Sequence, residues 1–131
     1  MPPGTGDTQL TFSQEIKMDG AIIVSTPQEV ALLDVKRGIK MFDKLGVKIL
    51  GLVDNMSYFI GDDNKKYKIF GEGGVRKTSE EFKKEFLGEI PINSEVGKTG
   101  DEGKPIVEAK PEHEISKIYL NFAEKIKSTY L

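Results

Sequence analysis

Near its start the chain reads Pro2-Pro3-Gly4-Thr5-Gly6-Asp7, residue types suited to handling a phosphate. Proline fixes φ, and glycine lets a backbone amide approach a ligand closely or adopt φ > 0. A rigid turn of this kind can aim several amides at one anion. A helix from Asp7 to about Glu15, with Leu10, Phe12 and Ile16 apolar, would point its positive end at the same place. Such loops ordinarily follow a β-strand, and only Met1 precedes this one. Taken alone, the stretch reads equally well as an unstructured terminus.

Two further places could meet a ligand. Asn55-Met56-Ser57 follows the apolar run Val47 to Asp54, and Pro91-Ile92 follows Phe86 to Ile90. In open α/β sheets ligands bind outside the carboxyl ends of the strands. An asparagine amide offers both a donor and an acceptor, which fits the edge of an adenine ring. Asn and Ser also serve often as caps, and Pro91 is equally explained as a strand terminator.

Other constellations are weaker. Gly71-Glu72-Gly73-Gly74 has neither a GK[ST] ending nor GxGxxG spacing. Arg76 and Lys77 after it read as a solvated helix start. Asp62, Asp63 and Asn64 lack the alternating spacing and distal Glu of a calcium loop. The lone histidine, His113, lies between Glu112 and Glu114 and reads as solvated rather than as a metal ligand. There is no Ser-His-Asp or Cys-His set, and Glu80 and Glu81 fall on an exposed helix face. No independent hydrolase of acyl or glycosidic bonds is supported, and no catalytic residue or metal ligand is assigned.

The 131 residues have room for one domain, residues 1–131, with a sizeable core. The net charge of −2 gives no electrostatic reason to expect nucleic acid or a membrane as partner. No apolar run reaches membrane-spanning length and no signal-peptide pattern is present, so a cytoplasmic location is expected. Cysteine is absent. Disulfides, zinc–thiolate sites and thiolate-held iron–sulfur clusters are therefore excluded for these residues.

The elements that must position these residues follow from periodicity. Ala21 to Ser25 reads as a strand buried on both faces of a parallel sheet. Thr26-Pro27-Gln28-Glu29 predicts a capping box opening a helix that runs to about Leu45, with Leu32, Val35, Ile39 and Phe42 inward and Gly46 ending it. Val47 to Asp54 is a second buried strand, making a βαβ unit. Tyr58 to Ile60 and Tyr67 to Phe70 predict a hairpin around a polar tip. Gly71 to Gly74 is a hinge into a helix near Val75 to Glu85, with Val75, Ser79 and Phe82 inward. Phe86 to Ile90 is a third strand, a short helix over Ser94 to Lys98 is weakly signalled, and Asp101 to Pro105 is a loop. A final helix starts at Pro111 and carries the stripe Ile115, Ile118, Tyr119, Phe122 and Ile126. Its polar face is mixed in sign, which favours packing on the sheet over a membrane surface. The fold class is α/β, with about three parallel strands, a β-hairpin insertion and flanking helices.

The ordered set PPGTGD, DGAIIVSTPQEVALLDVKRGIKMF, ILGLVDNMSYF, IFGEGG, FLGEIP and DEGKPIV resembles the Mrp-type ATPases. These are P-loop proteins of the MinD/ParA-like branch, implicated in carrying iron–sulfur clusters. The resemblance covers essentially the whole chain. It implies that the sheet is part of a P-loop NTPase domain, and that Pro3, Gly4, Thr5, Gly6 and Asp7 form a switch loop beside the γ-phosphate and magnesium. It also implies that Asn55 contacts adenine and that Pro91 and Ile92 line the base pocket.

The sequence departs from this family in two ways. Members carry a glycine- and lysine-rich P-loop well upstream of the switch loop, and no such motif occurs in these residues. The resemblance therefore leads one to expect a truncated reading frame or a cloned C-terminal half. ATP and magnesium would belong to the complete protein, with neither bound tightly here and no ATPase activity from these residues. Loss of the neighbouring P-loop strand would bare the apolar edge at Ala21 to Ser25, so a homo-oligomer, most simply a dimer, is expected. Cluster-carrying members also have a CxxC between the NMSYF and IFGxGG stretches. Here that interval is Ile60-Gly61-Asp62-Asp63-Asn64-Lys65-Lys66-Tyr67-Lys68. Carboxylates and ammonium groups do not replace thiolates, so no iron–sulfur cluster is expected. The implied function is the C-terminal portion of an ATP-binding protein of iron–sulfur cluster assembly or transfer, with iron–sulfur client proteins as further partners. A non-catalytic regulatory module and a ParA/MinD-like partitioning factor are the alternatives.

Overall fold

Three parallel strands, β1 (Ala21–Ser25), β2 (Ile49–Asn55) and β5 (Phe86–Ile90), form a sheet in the order β1-β2-β5. The computed structural model describes residues 18–130. The expected loop at Pro3, Gly4, Thr5, Gly6 and Asp7, and the helix after it, lie outside the described residues.

Helix α1 (Glu29–Leu45) crosses from β1 to β2. Gly46 ends it at φ 73°, and the Val47 amide donates to Phe42 O at 2.9 Å. That is the left-handed closure for which glycine is suited. The expected capping box does not form. Gln28 occupies the N-cap position, its carbonyl accepts from the Leu32 amide, and its side chain caps nothing. Pro27 lies outside the helix and is buried.

A small antiparallel hairpin, β3 (Phe59–Ile60) with β4 (Lys66–Tyr67), projects after β2, as the alternation of apolar and polar residues predicts. Helix α2 (Gly74–Glu81) then returns toward the sheet. It stops short of the expected Glu85 because Lys83 turns left-handed at φ 57° and the Lys84 amide bonds back to Ser79 O. The chain is thereby released to start β5.

Helices α1 and α2 share one face. Val35, Ile39, Ile49, Leu52 and Val75 form its buried core, flanked by Leu32, Phe42 and Phe82. The opposite face is covered by α5 (Glu114–Tyr130), through Val53, Leu87, Ile90, Ile106, Ile115 and Phe122. Gly88 is required there, since a Cβ on it would lie 2.7 Å from Cε1 of Phe122. Hydrogen bonds from the Lys125 ammonium to Leu87 O (2.7 Å) and from the Tyr130 hydroxyl to Leu50 O fasten the end of α5 to the sheet.

β1 does not match the expectation of two buried faces. Ile22 is 43 % exposed and Val24 58 % exposed, on the side where α5 covers only β2 and β5. Apolar runs alone do not reveal which neighbour covers each face.

Four further differences lie in the C-terminal third. The weak helix signal at Ser94 is a full α3 (Ser94–Asp101), because Asn93 Oδ1 accepts from the Glu95 amide at 2.9 Å and Lys110 pairs with Glu95 at 2.6 Å. A four-residue α4 (Ile106–Ala109) follows the loop and is tied to α5 by buried Ser116, whose hydroxyl reaches Ile106 O and Lys110 O. The last helix begins at Glu114 rather than Pro111. His113 is half-buried instead of solvated, and its Nδ1 accepts from the Ile115 amide at 3.0 Å. The first amides of a helix have no partner within it, and Asn is among the common side chains that accept from one. Replacing Asn93 by Ala is expected to cost about 1 kcal/mol, read as a lower urea midpoint with unchanged slope. An unchanged midpoint would mean that Lys110 alone holds the start of α3.

Candidate functional site

β2 and β5 end at the same margin of the sheet, with Asn55 and Ile90 paired in register. Beyond the ladder the two chains stay joined. The Ser57 amide donates to Ile90 O at 3.0 Å, and the Ile92 amide donates to Tyr58 O at 2.7 Å. Pro91 sits between these two bonds, is buried, and has no amide to leave unsatisfied. The structure thus gathers Asn55, Pro91 and Ile92 at one edge. The remaining expected site residues are outside the described part of the chain.

Asn55 is half-buried and borders a cavity of 370 Å³. Its other walls come from β1 (Ile22, Val24), from Val53, Leu87 and Ile90, and from α5 (Tyr119, Phe122), so it lies between the sheet and α5, and Pro91 and Ile92 are not among its walls.

The residue beside Asn55 is one the sequence reading passed over. Asp54 is 1 % exposed at the end of β2. Its register partners are Ser25 on β1 and Glu89 on β5. The Ser57 hydroxyl donates to its Oδ2 at 3.2 Å, and its Oδ1 has no partner among the described residues. Burial pushes its carboxyl from 3.8 up to about 6. The Ser57 bond opposes that rise, Glu89 adds to it by like charge, and Lys68 counters weakly. The available signal was a carboxylate closing the run ILGLVD, in a strand with few other polar side chains.

The rest of the polar inventory is structural. Asp63 accepts from the Lys65 amide at 3.1 Å and from the Tyr67 hydroxyl, closing the hairpin tip as an Asx-type turn. Arg76 stacks over the Phe86 ring at 4.5 Å, so its guanidinium supports the sheet edge. Among the described residues no group of three or more His, Asp or Glu could hold a metal ion, and no helix is long and apolar enough to cross a membrane.

A ParA family model described as NUBPL iron-transfer P-loop NTPase matches residues 1–127. The iron-sulfur cluster carrier protein of Synechocystis is 48 % identical over 128 residues, covering 96 % of this chain and 36 % of the relative. An Arabidopsis thaliana iron-sulfur protein required for NADH dehydrogenase is 48 % identical, covering 96 % of this chain and 41 % of its own length. The chain thus spans well under half the length of these curated relatives. Among solved structures, the nucleotide-binding protein of Archaeoglobus fulgidus in complex with ADP superposes with a TM-score of 0.69 at 42 % identity, covering 79 % of this chain and 43 % of that one. MinD of Aquifex aeolicus superposes with a TM-score of 0.70 at 19 % identity, covering 97 % of this chain and 50 % of that one, a likeness of fold alone.

Proposed function

Because the chain belongs to the NUBPL-type iron-transfer P-loop NTPases of the ParA family, we propose that it supplies the base-binding part of an ATP site in a protein of iron–sulfur cluster assembly or transfer. The observation that carries this reading is the edge where Asn55 meets Pro91 and Ile92 across two interstrand hydrogen bonds. An asparagine amide at the carboxyl end of a parallel strand fits the edge of a nucleotide base. Asn55 would read the adenine edge, and Pro91 and Ile92 would bound the ring. Pro3, Gly4, Thr5, Gly6 and Asp7 would meet the phosphate end, with magnesium there in the complete protein. The described residues offer no magnesium cage of their own.

The residues do not fit an iron–sulfur cluster. No cysteine is present, and the hairpin between Ile60 and Lys68 is closed by Asp63 and Tyr67. Whatever this chain contributes to cluster traffic runs through nucleotide binding and contact with client proteins, as a homo-oligomer in the cytoplasm.

Positioning and charge stabilisation dominate phosphoryl transfer, and a P-loop lysine is not among these residues. The 131-residue polypeptide is therefore expected to release no phosphate from ATP above background. In a ¹H–¹⁵N NMR titration, millimolar AMP is expected to shift the amides of Asn55, Ser57 and Ile92. Asn55→Ala is expected to weaken that binding about fivefold, the worth of one hydrogen bond. Shifts confined to other segments would overturn the assignment of the base site, and clear turnover would overturn the inactive reading.

A further inference from the structure

The four residues Asp54 to Ser57 hold features that stable folds ordinarily avoid. A carboxylate is buried at the end of an otherwise apolar strand, with Glu89 as its cross-strand neighbour. One of its oxygens is unpartnered among the described residues. Two residues on, Met56 adopts a left-handed φ of 52°. Left-handed Asn64 and Lys83 close a hairpin tip and a helix end, whereas Met56 follows directly on the strand that carries Asn55. Leucine or valine at position 54 would remove the buried charge. Energetic costs gathered at one point indicate a demand other than stability.

The neighbours show what the demand is. Ser57 makes two bonds: its amide donates to Ile90 O, and its hydroxyl donates to Asp54 Oδ2. Asn55 and Met56 are the two residues spanned by these anchors. We propose that Asp54 is a positioning residue for base recognition. By holding Ser57 it fixes the Asn55 amide relative to Pro91 and Ile92, and so sets a preference for adenine over guanine. This rests on the reading of that edge as the base site. An ionised carboxylate accepts the Ser57 bond more strongly than a neutral one. The groups facing Asp54 are Ser25 from β1, Glu89 from β5, Ser57 from the turn and Lys68 from the segment after β4.

The test compares AMP and GMP binding by NMR titration in the wild type, Asp54→Asn and Ser57→Ala. The wild type is expected to bind AMP about tenfold more tightly than GMP. Each variant is expected to bring that ratio below about threefold, a loss in the range of one site-specific hydrogen bond. In the wild type the ratio is expected to fall as the pH drops below 6, and in Asp54→Asn to stay flat. The phosphate titrates alike in both nucleotides, so the ratio cancels its effect. A structural role alone would move the melting temperature and leave the ratio flat with pH in the wild type as well. A wild type without any AMP preference overturns the base-site reading and the proposal with it. A wild-type preference that survives in both variants overturns the positioning role and leaves the base site standing.

Discussion

Asp54→Asn is expected to be more stable than the wild type at pH 8, by up to about 3 kcal/mol. The carboxyl is held near 6 in the folded chain against an ordinary 3.8. Below the ordinary value it is protonated in both states, and burial carries no charge penalty. Between 3.8 and about 6 the unfolded chain sheds its proton while the folded chain keeps it, so stability falls as the pH rises. Above 6 the loss is complete and constant. Asparagine keeps the shape and removes the charge, at the cost of a weaker bond from Ser57. The difference between variant and wild type should therefore be near zero at pH 4 and grow to its full value by pH 7.5. Thermal unfolding across that range should show a gain on the order of 10 °C at the alkaline end. Equal melting temperatures at pH 8 would mean that water reaches the carboxylate and relieves it. A more stable variant with poorer base selection would be the signature of a charge kept for function.

Leu52→Ala should act in the opposite direction, with a loss of about 3 kcal/mol. Leu52 has no exposed surface and lies in the middle strand, packed with Val35 and Ile39 of α1 and Val75 of α2. Deleting its branched end leaves a cavity between two helices and a sheet, none of which can close on it alone. In urea the midpoint should fall by about 2 M with the slope preserved. A change under 1 kcal/mol would show that α1 and α2 can settle inward. Because the same strand delivers Asp54 and Asn55 to the sheet margin, AMP binding should weaken alongside stability.

Much of the architecture was legible because the signals were strong and local. The β-branched runs at Ala21 and Val47, the stripe from Leu32 to Phe42, and Gly46 after it each led to the element observed. The same is true of Asn55, Pro91 and Ile92, whose positions at strand ends bring them to one margin. Features decided by distant partners were less visible. Nothing in STPQE tells that Pro27 is buried and that Gln28 takes the cap position. Nothing in AIIVS tells that only one face is covered. Helix α4 depends on the Ser116 hydroxyl, ten residues from Ile106. His113 gave no sign of its cap because an imidazole between two glutamates looks solvated until the Ile115 amide is placed beside it. Asp54 was hidden for a different reason: a carboxylate at a strand end is ordinarily read as the first polar residue of a loop, and only the third dimension puts it under cover.

The hairpin tip has a consequence for how this chain meets its chemical surroundings. Beside the backbone bonds from the Gly61 amide to Lys65 O and from the Asn64 amide to Gly61 O, a phenol donates to a carboxylate there, Tyr67 to Asp63. Neither group is a thiol, so thiol–disulfide exchange leaves this turn alone. What breaks this side-chain bond is alkali or strong acid. The Asp63 carboxylate holds the Tyr67 phenol above its ordinary range, and the phenol in turn holds that carboxyl below its own. Between those limits the bond stays in place, indifferent to thiol–disulfide exchange.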